Sequence, residues 1–135
     1  MFNYMTTLSG ISATSERYYD ASGHDPSSLL FNCMDEFLYV FCTDFFVCKQ
    51  IEVISLTRGG NGGGAAEAGG GGGGKAAAGG EPTWTIRARG LGERFRSVAE
   101  GGEHEQGTEV KAITYSNLQV WEREEKTELF VIVDI

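Results

Sequence analysis

From Leu30 onward, the apolar residues Met34, Phe37, Leu38 and Phe41 recur at three- and four-residue spacing, the signature of one buried helical face. Asp25-Pro26-Ser27-Ser28 stands just ahead of them. It offers an N-cap side chain, then a proline where the missing N–H costs nothing. The spacing therefore predicts a helix from this point to about Thr43-Asp44. After Phe45 the period changes, and Val53, Ile54 and Leu56 predict a strand beginning near Ile51. Residues 83–88 and 93–98 read as two short strands about a hairpin turn at Arg89-Gly90-Leu91-Gly92. Residues 99–106 are a polar connection and residues 109–121 are strand-like. Residues 122–127 form a charged turn, and residues 128–135 (ELFVIVDI) are a strongly β-prone final strand. Ahead of the helix, residues 1–7 read as the tail of an apolar element and residues 9–24 as a loop or weak strand. One main helix packed on an antiparallel sheet is an α+β fold.

Residues 59–80 interrupt this pattern with almost nothing but glycine and alanine. Such a segment buries too little apolar surface to offset its ordering entropy, so a disordered insertion joining strands 51–57 and 83–88 is expected. Closure cost grows only with the logarithm of loop length, and the fold should tolerate it. What remains is roughly 110 residues, enough for one domain without staples. Two Trp, five Tyr and eight Phe supply the core of that single domain over residues 1–135.

Charge narrows the partners. At a formal net charge of −8 the chain is ill suited to grip a phosphate backbone, because that affinity comes from lysine and arginine displacing counterions. A protein or a metal cation is the better match. Cys33, Cys42 and Cys48 are three thiols without CxxC spacing, expected to be reduced and buried in an intracellular protein. No apolar run approaches the ~18 residues of a membrane span, and residues 1–15 carry no signal-peptide pattern.

Most candidate chemistry has a plainer explanation. The run Gly69 to Lys75 imitates a phosphate-binding loop, but three alanines follow the lysine where a Ser or Thr is required. His24 and His104 have no neighbouring ligands at zinc spacing. Asp35 and Glu36 fall mid-helix, where a solvated face is the usual reading. Asp134 ends an apolar strand beside Ile135 and its α-carboxylate. Two hard oxygen groups on adjacent residues suit Ca²⁺ or Mg²⁺, though a frayed, solvated terminus is the commoner explanation. Lys111 stands on a strand where alternation sets it opposite Val110 and Ala112, and is ordinarily just a solvated lysine.

One further observation bears on these residues. The run GTEVKAITYSNLQVWEREEKTELFVIVDI, residues 107–135, closely resembles the C-terminal end of archease proteins. The helix SLLFNCMDEFLY, residues 28–39, is similar to that family's Leu-Leu-Phe…Leu-Asp-Glu-Trp-Leu-Tyr helix, with Met34 and Phe37 in place of Leu and Trp. Residues 1–6 resemble the end of its first helix. The resemblance implies a non-enzymatic accessory factor that promotes guanylylation and turnover of an RtcB-type tRNA-splicing ligase, in the cytoplasm or nucleus. It implies a divalent-metal site, calcium being the expected ion, at Asp134 and Ile135. It also implies a partner-binding role for Lys111 and, more weakly, for Asp35 and Glu36. A chaperone-like modulator of a tRNA methyltransferase is the alternative partner role, and a small metal-dependent hydrolase the alternative activity. The family's Asp-His-Thr-Ala-Asp segment has no counterpart here. On this reading the chain is N-terminally truncated, its metal site lacks one aspartate, and its sheet is left with an unpaired edge and an uncovered apolar face.

Overall fold

The computed structural model describes residues 1–59 and 83–135. The glycine- and alanine-rich tract, with the phosphate-loop lookalike inside it, lies outside the described residues. A short helix α1 (Phe2–Met5) is followed by β1 (Ser15–Gly23), the long helix α2 (Pro26–Asp44), β2 (Phe46–Arg58), β3 (Trp84–Arg94), β4 (Ala112–Glu122) and β5 (Thr127–Asp134). β1, β3 and β2 form an antiparallel sheet in that order, and β4 pairs antiparallel with β5 in a separate two-stranded sheet. The α+β architecture with one main helix is the one its sequence predicts.

α2 begins as its local chemistry requires. The Asp25 carboxylate accepts the Ser28 N–H at 2.6 Å, and the Ser28 hydroxyl accepts the Asp25 N–H at 3.1 Å, closing a reciprocal capping box. The same bond from Ser28 holds the Asp25 carboxyl below the usual carboxylate range. Asp25→Ala should therefore lower stability by about 1 kcal/mol, read as a shifted urea midpoint at unchanged slope, and Asp25→Asn should restore most of it. The helix ends where Phe45 turns left-handed, at φ 56°.

From α2, Leu29, Phe37 and Leu38 are buried, and Met34 and Phe41 pack half-buried against the same core. Phe37 lies 4.2 Å from the Tyr19 ring and meets Phe2 edge-on at 6.2 Å, so β1, α1 and α2 share one aromatic cluster. Phe2 and Met5 make α1 a buried plug rather than a frayed end. Val47, Val110 and Ile113 bring β2 and the final hairpin into the same core.

Four expectations are corrected. Residues 15–23 form a full strand, β1, held by nine register pairs to β3 from Ser15↔Gly92 to Gly23↔Trp84. β2 starts at Phe46, not near Ile51, because the left-handed Phe45 sends the chain straight into pairing with β3. Gly90-Leu91-Gly92 makes no turn: β3 runs through it. A Cβ at Gly90 would meet the Cys48 sulfur and the Tyr19 ring, and one at Gly92 would meet the Val47 carbonyl. These glycines serve close approach, not bending. Of the three thiols expected to be buried, only Cys48 is; Cys33 is half-buried and Cys42 exposed. Cys42 falls in the last turn of α2, where Phe41 makes the core contacts instead.

The insertion joins the strands it was expected to join. Arg58 pairs with Trp84 and Thr57 with Thr85, and the Gly59 N–H donates to the Thr83 carbonyl at 2.8 Å. β2 is an edge strand, and Ile51, Val53 and Leu56 remain about half exposed along it.

Candidate functional site

The connection from β3 to β4 is what places the C-terminal hairpin. His104 is buried at its centre, 6% exposed, and stacks on Phe95 at 5.6 Å. Its Nδ1 accepts the Arg96 N–H at 2.9 Å, so the ring proton sits on Nε2 and points at the Glu93 carboxylate, 3.3 Å away. The same carboxylate accepts the Ser12 N–H. That bond, before the contribution of His104, holds Glu93 below the usual carboxylate range. Further along, the Gly107 and Thr108 N–H groups donate to the Met5 and Tyr4 carbonyls at 2.8 and 2.7 Å. The Thr6 hydroxyl donates to the Glu105 carbonyl at 2.8 Å. The connection is thus tied at both ends, and it delivers Val110 into the core with Lys111 just before β4.

Lys111 and Asp134 meet through the main chain. The Lys111 N–H donates to the Asp134 carbonyl at 2.8 Å, and the next pair in register is Ala112↔Asp134. Val110 is buried and Lys111 exposed, as alternation suggests, although Lys111 precedes the strand rather than lying in it. The side chains of Asp134 and Ile135 are exposed. Asp134 on β5 therefore shares one edge of the hairpin with Lys111.

Asp35 and Glu36 lie on α2. No hydrogen bond or ion pair among the described residues joins either to Lys111 or Asp134. Glu36 is half-buried, and its carboxyl is raised above the usual range by burial first, then by the charges of Asp35 and Asp20. Two candidate residues thus belong to the hairpin and two to the helix that packs against it.

A divalent cation would need more than the described residues assemble. Ca²⁺ takes about six to eight oxygen ligands, whereas Asp134 and the α-carboxylate of Ile135 offer two adjacent groups. No set of three or more His, Cys, Asp or Glu side chains able to hold a metal comes together among the described residues. The residues present do not fit a complete cation site.

The remaining polar chemistry is structural. The Tyr19 hydroxyl and Cys48 sulfur are 3.1 Å apart in the core, where burial raises both their pKa values. Burial likewise pushes the Cys33 thiol up to about 11, so these two thiols are poor nucleophiles. Sequence reasoning missed the Glu93–His104 tie, having read residues 99–106 as a plain connection. An isolated histidine flanked by glutamates gives no signal until the chain folds back on β3. No described helix is long and apolar enough to cross a membrane.

Comparison with known proteins fits this arrangement. The archease protein family model matches residues 1–135. A protein archease-like of Dictyostelium discoideum is 34% identical over 138 residues, covering 100% of this chain and 74% of its own length. The protein archease of Ictalurus punctatus is 35% identical over 136 residues, covering 100% of this chain and 67% of its own. A protein archease-like of Drosophila melanogaster is 35% identical over 138 residues, with 100% and 71% covered. With the family model spanning its whole length, this chain belongs to the archease family.

Proposed function

We propose that the chain is a non-enzymatic accessory factor that promotes guanylylation and multiple turnover of an RtcB-type tRNA-splicing ligase, acting through the Lys111–Asp134 edge of its C-terminal hairpin. Archease proteins are accessory factors rather than enzymes, and this coarser role applies to the chain as a member. The observation that carries the finer reading is the main-chain bond between Lys111 and Asp134. It joins the backbones of two exposed charged residues at one end of the hairpin, in the sequence block that most closely resembles the family. A hairpin presenting two opposite charges can dock on and orient a partner, and no catalytic step is assigned to it. The net charge of −8 leaves RNA contacts to the ligase. No part of this mechanism passes through a metal ion.

The test is reconstitution with a purified RtcB-type ligase and split tRNA, using the chain at less than one equivalent. Product should continue to accumulate beyond one turnover per ligase only when the chain is present, and guanylylated ligase should re-form faster. Ligation that is the same with and without it would remove the role. If instead the chain captured a tRNA methyltransferase and not the ligase, the modulator reading would replace this one.

A further inference from the structure

The two faces of the β4–β5 hairpin differ in what they meet. Ile113 opposite Val133 and Val120 opposite Leu129 define the inner face by register. Ile113 is buried, Val131 and Val133 pack on the core, and Val120 and Leu129 line an apolar cleft shared with α2 and β3. Trp121, Phe130, Ile132 and Asp134 alternate with these and take the outer face. There Trp121, Phe130 and Ile132 stay 47%, 47% and 48% exposed, the two rings 5.3 Å apart.

Carboxylates bound this stripe at both ends. Asp134 lies at one, with Lys111 next to it just before the neighbouring strand. The turn at the other carries Glu124 and Glu125, while its two cations, Arg123 and Lys126, are both drawn to Glu128 at 3.4 and 3.0 Å. An apolar centre with a charged rim is the anatomy of a protein interface, and exposed Trp and large aromatics are its usual anchors.

We propose that this outer face is a docking surface for a protein whose own surface sets lysine and arginine around an apolar patch, an inference that rests on the accessory-factor reading above. Charge selects the occupant. A second copy of a chain at −8 would bring two net-negative molecules together, and like charges across an interface oppose pairing. Nucleic acid and anionic membrane are repelled for the same reason. An enzyme that handles RNA must display cations to hold phosphates, and such a surface complements this rim.

Binding of the full chain to immobilised RtcB-type ligase tests the surface, with two variants. Trp121→Ala/Phe130→Ala should weaken binding at least about tenfold, mainly through faster dissociation. Glu124→Lys/Glu125→Lys should slow association at least about threefold and flatten its salt dependence. Should the first pair disturb the circular dichroism, the second, on an exposed turn, decides alone. If the unsubstituted chain binds and both variants match it within about twofold, the surface is wrong while the accessory role stands. If the unsubstituted chain fails to bind, both readings fall. Sedimentation showing a dimer that Trp121→Ala/Phe130→Ala dissociates would give the face to a second copy and overturn the proposal.

Discussion

Phe37→Ala is expected to lower the unfolding free energy by about 3–5 kcal/mol, the range for deleting a buried aromatic ring. Phe37 is 5% exposed and touches both Tyr19 and Phe2. Its loss opens a cavity where β1, α1 and α2 meet, and none of the three can close it without moving the others. Domains of this size hold a margin of about 5–15 kcal/mol, so the variant should be largely unfolded in mild denaturant. Phe37→Leu, which fills more of the volume, should lose much less. Urea melts followed by circular dichroism read both, and an unchanged midpoint for Phe37→Ala would show that this cluster is not the core.

The second large effect comes from the smallest side chain. Gly92→Ala should cost at least about 3 kcal/mol, at the upper end for overpacking. The added methyl would run into the Val47 carbonyl, a backbone atom of a fully buried residue on the neighbouring strand. Relief requires β2 and β3 to separate locally, with loss of ladder hydrogen bonds. Gly10→Ala is the matched control, because a Cβ there meets nothing within 4 Å. It should stay within about 0.5 kcal/mol of the parent. Equal melting of Gly92→Ala and Gly10→Ala would contradict continuous pairing through residues 90–92.

These residues also show what the sequence made legible. α2 could be placed because its start carries local chemistry, Asp25 and Pro26, and its face repeats with helical period. β5 could be placed because Phe130 to Val133 have no competing conformation. β1 could not: of SERYYDASG only Tyr19 is buried, so no alternation marks it, and β3 supplies the pairing that makes it a strand. Gly90 and Gly92 misled for a related reason. Glycine serves turns and close packing alike, and only the neighbours, Cys48, Tyr19 and Val47, tell which. β2 begins early because Phe46, Val47 and Cys48 are all buried and follow the helix end at once. The helix end near Thr43-Asp44 was legible, whereas the left-handed Phe45 that starts β2 at once is a backbone conformation that composition does not display.

The candidate site was legible in part. Lys111 and Asp134 were named separately, each with a bland alternative, and antiparallel closure of the hairpin brings them together. Asp35 and Glu36 come from α2 and make no hydrogen bond or ion pair with either among the described residues. Metal ligation was argued from two adjacent carboxylates, and the described residues add no third group. The outer stripe of Trp121, Phe130 and Ile132 was hidden by its own composition. Without register, exposed aromatics in a β-prone run look like core.

The proposed function puts partner activation at the end of the hairpin where Lys111 pairs with Asp134, and multiple-turnover ligation measured with the Asp134→Ala chain tests this most directly. Asp134 is exposed, and its backbone, which carries the bond to Lys111, is unchanged in that variant. The prediction is a native urea midpoint with stimulation of the ligase reduced to the level seen without the chain. Full stimulation by a normally folded Asp134→Ala chain would contradict it.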